Sequence, residues 1–233
     1  MKNPSYILAI EACSEHLSVC LMNRDTGEIS QKSELAFRNL SDNVHPFIQD
    51  VLAMAKASPA DVSLLACTRG PGSFTSVRVG LATIKGLRTA LGIDAVTLPS
   101  LELIALPHFH QGKGVTVWLN AHGGSVYVQS FSENGDALNE AVSIPVEEAA
   151  AQFSAGNILV GSGVHYHSVH VPKTAIVPER ETGNAVTHNA LRYGCAIRLA
   201  REALKRYDAQ TADVNNFDAL YVHPLNYDKV GAV

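Results

Sequence analysis

The glycine-rich segment is the part of this chain whose residue types could do chemistry directly. Residues Arg69–Gly80 read RGPGSFTSVRVG, so a Gly70-Pro71-Gly72 turn precedes Ser and Thr residues that cap helices. Free N–H groups at the start of a helix bind a phosphate or a carboxylate. A tight strand-to-helix turn explains the same residues, and both interpretations stay open. No Gly-Lys-Ser/Thr follows, which excludes a Walker loop, and the absence of Gly-x-Ser-x-Gly excludes a serine-hydrolase elbow.

Ten histidines and four cysteines are the other side chains with metal-binding or nucleophilic chemistry. No two histidines are four residues apart, so none forms a pair of ligands at that helical spacing. The cluster of His165, His167 and His170 is interpreted as a solvated loop rather than a metal site. No C-x-x-C pair occurs, which indicates reduced, mostly buried thiols, and no His/Asp arrangement accompanies Cys13 or Cys195. The sequence therefore predicts neither a metal site nor a catalytic residue.

The N-terminal half is predicted to fold as a mixed α/β sheet, because strands alternate with helices after an antiparallel opening. In one helix, apolar residues recur from Val44 at helical spacing, with Asn43 as the cap and Pro46 in the first turn. In the next helix, Gly92 takes the left-handed position that ends it. The predicted strands are Tyr6–Ile10, Leu17–Met22, Glu28–Leu35, Val62–Cys67 and Ala95–Leu98, and the predicted helices are Asn43–Lys56, Thr75–Leu91 and Ser100–Leu106.

The C-terminal half repeats the opening pattern. After a Pro/Gly-rich boundary at Leu106–Gly114, the segment Val117–His122 aligns with Leu8–Cys13, an acid or amide ending the strand in each. The sequence therefore predicts an N-terminal lobe over residues 1–106 and a smaller lobe over 107–233 that includes a C-terminal helix and tail. The predicted elements of this half are strands Val115–Asn120, Val126–Phe131 and Ile158–Val160 and helices Pro145–Phe153 and Ala185–Arg206.

Composition excludes several classes of protein. The chain has 233 residues, 46% of them hydrophobic and 17% charged, which suits a folded core and argues against disorder. A net charge of −4 gives no global basic field for nucleic acid. No apolar run is long enough to span a membrane, and the N-terminus lacks the layout of a signal peptide. The sequence therefore predicts a cytoplasmic protein.

A long block of the chain resembles a known family. GPGSFTSVRVGLATIKGLRTALGI (Gly70–Ile93), followed by VTLPSLELIA (Val96–Ala105), resembles the TsaB family, also called YeaZ. This bacterial family supplies a partner subunit to the machinery that makes threonylcarbamoyladenosine in tRNA. Ile7–Met22 resembles the family's first hairpin, Asn120–Val128 its second, and Val160–Gly163 a later glycine turn. The resemblance implies an α/β ASKHA fold of two ribonuclease-H-like lobes with mixed sheets.

The chain departs from this family and its catalytic relative at the positions that do chemistry. The related catalytic subunit TsaD holds a metal through two histidines spaced i and i+4, where this chain has Ser100 and Ile104. Glu11 stands where TsaB proteins commonly have Asp, while Asn120 and His122 replace an Asp and an Arg. Neutral Asn binds Mg²⁺ poorly compared with a carboxylate. The resemblance therefore implies a subunit with no intrinsic catalysis, no metal and no cofactor of its own.

Two helices are expected to form the partner surface, because their apolar and small residues exceed what one buried stripe requires. Burial of both helix faces inside the lobe would explain the same excess. TsaB proteins pair through this surface with TsaD, or with themselves when TsaD is absent. The candidate interface residues are Val44, Phe47, Ile48, Val51, Arg78, Val79, Gly80, Ala82, Thr83, Lys85 and Gly86, and the candidate phosphate-loop residues are Glu11, Gly70, Gly72, Ser73 and Thr75.

The leading hypothesis is a non-catalytic activator of the complex that transfers threonylcarbamoyl to N6 of the adenosine next to the anticodon in ANN-decoding tRNAs. The resemblance implies a TsaD-like partner in a heterodimer, a TsaE-like ATPase and a homodimer when the chain is alone. It also implies indirect contact with tRNA, ATP or ADP at the complex interface, and no membrane. One alternative is an independent ASKHA ATPase or phosphotransferase using Glu11. A peptidase of the M22 type, the group in which the family was once placed, is the other.

Overall fold

Apolar strands from the two halves of the chain form two separate mixed sheets. The computed structural model describes residues 5–14, 16–35, 39–121, 123–178 and 195–222. These residues form two compact units. The first contains the described parts of Met1–Leu103 and Gly194–Leu220, and the second those of Ile104–Tyr193 and Tyr221–Val233.

The sheet of the first unit is built around a fully buried central strand. All six residues of β1, YILAIE, are buried, because the strand is paired on both edges and covered on both faces. It pairs antiparallel with β2 and parallel with β4, in the order β3-β2-β1-β4-β5. The strands are β1 (Tyr6–Glu11), β2 (His16–Asn23), β3 (Ile29–Leu35), β4 (Val62–Thr68) and β5 (Asp94–Leu98).

Helices cover both faces of this sheet. Two helices, α1 (Leu40–Met54) and α2 (Phe74–Leu91), cover one face. Their buried side chains form one hydrophobic core with side chains of β1 and β2, namely Leu8, Ile10, Leu17, Val19 and Leu21. Side chains alternate across a strand, so Ser18 and Cys20 of β2 point to the opposite face. That face contacts the C-terminal helix of the described chain, whose Ala196 N–H donates to Ser18 Oγ at 3.2 Å.

That C-terminal helix corrects the predicted division of the chain. Its buried stripe of Ala196, Leu199, Ala200 and Ala203 packs on β1 and β2, so it belongs to the first unit rather than to the C-terminal lobe. The sequence had assigned it to residues 107–233 from chain order alone. The part of the predicted helix Ala185–Arg206 that precedes residue 195 lies outside the described residues.

The second unit repeats the opening topology of the first. Strand β6 pairs antiparallel with β7 and parallel with β9, in the order β8-β7-β6-β9, as β1 does with β2 and β4. Its core surrounds the fully buried Trp118. The repeat predicted from the two aligned segments is therefore confirmed. The strands of this unit are β6 (Val115–Asn120), β7 (Ser125–Phe131), β8 (Val142–Pro145) and β9 (Ile158–Val160), and its helices are α4 (Val146–Ala151) and α5 (Ser162–Tyr166). The boundary between the units falls inside α3 (Ser100–Ala105), after Leu103, and α6 (Ala196–Asp208) belongs to the first unit.

Most predicted elements agree with the structure to within a few residues, with two differences. Helix α1 begins at Leu40 rather than after Asn43, so Pro46 lies inside the helix and not in its first turn. Strand β8, of four residues, and helix α5, of five, were not predicted. Among the described residues, no helix is both long and apolar enough to cross a membrane.

Candidate functional site

The glycine loop between β4 and α2 is clamped on two sides by backbone. Gly70 has a φ of 101°, and a Cβ there would lie 2.8 Å from the carbonyl oxygen of Leu220. The Leu220 N–H donates to Arg69 O at 2.7 Å. A Cβ on Gly72 would lie 1.9 Å from the carbonyl oxygen of Cys13. Glycine at both positions is therefore required by the close approach of neighbouring backbone.

The loop leads directly into the first turn of α2. Ser73 N–H donates to Cys13 O at 2.9 Å, and Ser73 O accepts the N–H of Val77 at 2.9 Å. Ser73 is the N-cap, but its side chain makes no capping hydrogen bond. Thr75 lies exposed in the first turn. At the other end Gly92 has a φ of 65°, which confirms the predicted left-handed cap.

Glu11 ends β1 directly beneath this loop and is buried, with 1% of its surface exposed. Its Oε1 accepts the N–H of Cys13 at 3.0 Å and the hydroxyl of Thr68 at 3.4 Å. Its Oε2 is buried and makes no hydrogen bond to the residues that the structure describes. Burial raises the pKa of Glu11 from 4.5 to about 7, against the lowering effect of these two hydrogen bonds. The carboxyl is thus an enclosed group that binds protons more tightly than a free one.

These contacts favour the tight-turn interpretation of the glycine loop. Cys13 lies between Glu11 and the loop, since its N–H donates to Glu11 Oε1 and its carbonyl accepts the Ser73 N–H. The Ser73 N–H therefore already has a carbonyl partner, and Gly70 packs against Leu220. An enclosed carboxyl also has no open face for a hydrated Mg²⁺. The geometry is that of a tight turn and does not support an open phosphate cradle.

The second unit has an equivalent glycine turn with the same packing. A Cβ on Gly161 or Gly163 would lie 2.3 Å or 2.8 Å from the carbonyl oxygen of Trp118. The N–H of Asn120 donates to Ser162 Oγ at 3.2 Å. His122, which stands where the family's second hairpin commonly has Arg, lies outside the described residues. This turn, like the first, fits closely against the strand that begins its sheet.

The predicted histidine cluster lies on α5 and the 3₁₀ turn that follows it, not in an irregular loop. His167 Nε2 is 3.3 Å from Asn120 Oδ1, and His170 Nε2 is 3.6 Å from Glu147 Oε1. Burial, and then the neighbouring His170, lower the pKa of His167. Within the described part of the chain, no group of three or more His, Cys, Asp or Glu residues is arranged to hold a metal ion.

The cysteines are free thiols, three of them buried. Burial raises the pKa of Cys13 and of Cys20 to about 12 and raises that of Cys67 well above its ordinary value. A thiol is nucleophilic as its thiolate, so these three are poor nucleophiles. Cys195 is partly exposed. The expectation that the thiols are mostly buried is confirmed.

The part of the predicted partner surface that lies on α1 is wrong. Val44, Phe47, Ile48 and Val51 are buried and belong to the core cluster of their own unit. Their apolar excess is explained by packing against β2 and α2, with no area left for a partner. The exposed face of α1 carries polar residues together with Pro46, Ala53 and Met54, and Met54 is 60% exposed.

Helix α2 divides the remaining candidates between core and surface. Gly80 is buried, and a Cβ there would meet Cys67 Sγ at 3.4 Å and Ala12 Cβ at 3.5 Å, so its assignment to a partner surface is also wrong. Gly86 faces open space, with nothing within 4 Å of a Cβ. We call the outward residues the α2 face: exposed Arg78, Ala82, Lys85 and Gly86 with the half-buried Val79 and Thr83.

A cation–π stack lies at the start of the α2 face. Phe74 is 54% exposed, and the Arg78 guanidinium carbon lies 3.7 Å from the centre of its ring. The sequence argument missed Phe74, although its place directly after the Ser73 cap was a usable signal. Stacking holds the arginine over the first turn of α2, one helical turn before the exposed Ala82. The middle of the α2 face therefore carries small side chains, with cationic side chains beside them and the Phe74 ring at the start of the helix.

Comparison with known proteins agrees with the motif-based resemblance. Residues 28–174 match the family model described as TsaD, tRNA N6-adenosine threonylcarbamoyltransferase. The tRNA threonylcarbamoyladenosine biosynthesis protein TsaB of Escherichia coli is 31% identical over 67% of this chain and 71% of its own length. The TsaB of Haemophilus influenzae is 36% identical over 52% of this chain and 51% of its own length.

Solved structures show the same fold at low sequence identity. YeaZ from Pseudomonas aeruginosa superposes with a TM-score of 0.73 at 20% identity, over 94% of this chain and 100% of that one. The ethanolamine utilization protein EutJ from Carboxydothermus hydrogenoformans superposes with a TM-score of 0.53 at 12% identity, over 84% of this chain and 90% of that one. The expected ASKHA-like α/β fold with mixed sheets is confirmed. The chain belongs to the TsaB (YeaZ) family of tRNA threonylcarbamoyladenosine biosynthesis proteins.

Proposed function

We propose that this chain is the non-catalytic partner subunit of the complex that transfers threonylcarbamoyl to N6 of the adenosine beside the anticodon in ANN-decoding tRNAs. It binds a TsaD-like catalytic subunit through the α2 face and contacts tRNA only through that subunit. A TsaE-like ATPase joins the complex, and ATP or ADP binds at the subunit interface. The isolated chain uses the same face to form a homodimer.

The shape and chemistry of the α2 face carry this proposal. Ala82 and Gly86 lie one helical turn apart and are both exposed, so a second helix can approach the backbone closely there. Arg78 and Lys85 lie at the rim, where charges set orientation and association rate more than affinity. The exposed Phe74 supplies an aromatic anchor of the kind that dominates interface energies.

The enclosed carboxyl of Glu11 supports the non-catalytic part of the proposal. An ATPase of this fold would need a carboxylate open to Mg²⁺ and phosphate at the end of the first strand. Here that side chain is 1% exposed and is occupied by hydrogen bonds to Cys13 and Thr68. The glycine loop beside it is filled by backbone contacts.

Association with the TsaD-like protein of the same genome tests the proposal. Ala82→Leu adds three carbons to the α2 face, and Ala and Leu have similar helix propensities, so the variant keeps its melting temperature. Overpacking of about 1–3 kcal/mol at a helix contact weakens binding about ten- to a hundredfold. Lys205→Leu on α6, whose side chain is 79% exposed, is the matched control and binds like the wild type. Unchanged affinity of the Ala82 variant contradicts the proposed surface.

A further inference from the structure

We propose that Glu11 is a positioning residue: its buried carboxyl, acting through the turn at Cys13, holds the first turn of α2 in the position that the partner subunit binds. This inference rests on the proposed function, because it assigns a purpose to α2 as the partner helix. It gives Glu11 a role that neither phosphate binding nor core packing supplies.

The first step of the connection ties the end of β1 to the end of β4. Glu11 Oε1 accepts both the Cys13 N–H at 3.0 Å and the Thr68 hydroxyl at 3.4 Å. The Cys13 thiol donates in turn to Thr68 Oγ1 at 3.0 Å. The three groups form a closed ring of hydrogen bonds that fixes the turn after β1. Such rings are more rigid than isolated bonds, because each bond polarises the next.

The second step carries this turn to the helix. The carbonyl of Cys13 accepts the N–H of Ser73 at 2.9 Å, and Ser73 O accepts the N–H of Val77, which opens α2. Gly72 lies so close to that carbonyl that a Cβ would overlap it at 1.9 Å. The hydrogen bond and this close packing therefore fix the backbone of residues 72–73 relative to the Cys13 carbonyl. Two consecutive hydrogen bonds thus connect the Glu11 carboxyl to Ser73, the N-cap of α2.

Hydrogen-bond satisfaction explains why a carboxyl, rather than a hydrocarbon, occupies this buried position. A leucine would leave the Cys13 N–H without its acceptor in the interior, and a buried unpaired donor is strongly unfavourable. The Cys13 turn would then move to find another partner, and Ser73 would move with it. Glutamine keeps the Oε1 acceptor and replaces only Oε2, which has no partner among the described residues. The inference therefore requires Gln to substitute for Glu11 and Leu to fail.

The experiment compares Glu11→Leu and Glu11→Gln in the full chain by amide hydrogen exchange and by affinity for the TsaD-like subunit. In Glu11→Leu we expect exchange at Val77 to be about tenfold faster, and binding to be about tenfold weaker, as for one lost hydrogen bond. In Glu11→Gln we expect both the exchange rate and the affinity to stay within about threefold of the wild type, a change smaller than the loss of one hydrogen bond produces. Met22→Ala, buried at the far end of β2, is the control that lowers global stability without touching the turn.

The outcomes separate this inference from the proposed function. Faster exchange in Glu11→Leu with unchanged binding overturns the inference and leaves the proposed function standing. A Gln variant that behaves like the Leu variant also overturns it, since the acceptor would then be irrelevant. If the wild type does not bind the TsaD-like subunit, the proposed function fails and the inference fails with it, whatever the exchange rates show. Should Glu11→Leu not fold, Thr68→Val removes one bond of the ring, and unchanged exchange at Val77 in that variant contradicts the inference.

Discussion

Leucine at Gly80 and leucine at Gly86 should have opposite effects, although the two glycines lie on the same helix. Gly80 faces the sheet, with Cys67 Sγ and Ala12 Cβ at ordinary contact distance from a Cβ. Alanine therefore fits, but the three further carbons of leucine have no room. Overpacking of this kind costs about 1–3 kcal/mol. A free-energy loss of 1 kcal/mol lowers the melting temperature of a chain of this size by about 2–4 °C.

Gly86 has open space around it, so leucine there improves helix propensity by up to about 1 kcal/mol. The melting temperature should stay level or rise by about 2–4 °C. The same leucine stands where the partner helix approaches and should weaken association about ten- to a hundredfold. Gly80→Leu should melt early, whereas Gly80→Ala should melt at or above the wild-type temperature and bind normally.

Thermal denaturation and titration with the TsaD-like partner check these expectations in four proteins: the wild type, Gly80→Leu, Gly80→Ala and Gly86→Leu. Loss of binding with a retained melting temperature is expected of Gly86→Leu alone. A Gly86→Leu variant that melts early would mean that this part of α2 faces inward. A stable Gly86→Leu variant with wild-type affinity would move the partner surface away from α2.

Three shorter predictions concern proton binding, self-association and nucleotide turnover. Burial raises the pKa of Glu11 from 4.5 to about 7, so between these values the folded chain binds more protons than the unfolded chain. The contribution of Glu11 to the free energy of unfolding is complete below pH 4.5 and falls by about 3 kcal/mol up to pH 7, at about 1.4 kcal/mol per pH unit. Urea titrations at pH 5 and 8 should show a smaller fall in the free energy of unfolding for Glu11→Gln than for the wild type. Equal falls in the two proteins would contradict the raised pKa of Glu11. Sedimentation of the isolated chain at a concentration that detects dissociation constants of about 10⁻⁵ M should show a dimer that Gly86→Leu converts to monomer. A wild-type chain that is monomeric at that concentration would count against a self-complementary α2 face. The purified chain should not hydrolyse ATP, and phosphate release that disappears in Glu11→Ala would instead support the independent ATPase.

The sequence predicted the fold well where local pattern and tertiary packing agree. β6 (Val115–Asn120) and β9 (Ile158–Val160) have the predicted bounds, because short apolar runs between polar turns leave few alternatives. The repeated half was detectable from Glu11 and Asn120, each ending the central strand of its sheet. Helix α6 was assigned to the wrong unit because its partner strands precede it by more than 150 residues, a separation that no local pattern encodes.

The candidate site was harder to predict, because it depends on which side of a helix faces the core. Phe47 and Gly80 were interpreted as partner residues, yet each packs inside its own unit. An apolar excess cannot distinguish a helix buried on a wide face from one with a second, exposed apolar stripe. The burial of Glu11 was likewise not predictable, since it ends a central strand whose neighbours and covering helices come from segments distant in sequence.

Reconstitution of tRNA modification tests the central claim most directly. The TsaD-like and TsaE-like proteins of the same genome would be assayed with a threonylcarbamoyl donor, ATP and an ANN-decoding tRNA, with and without this chain. Modified adenosine should form only when the chain is added, and Ala82→Leu should reduce the yield in parallel with its loss of binding. Full modification in the absence of the chain would contradict its role as the required partner subunit.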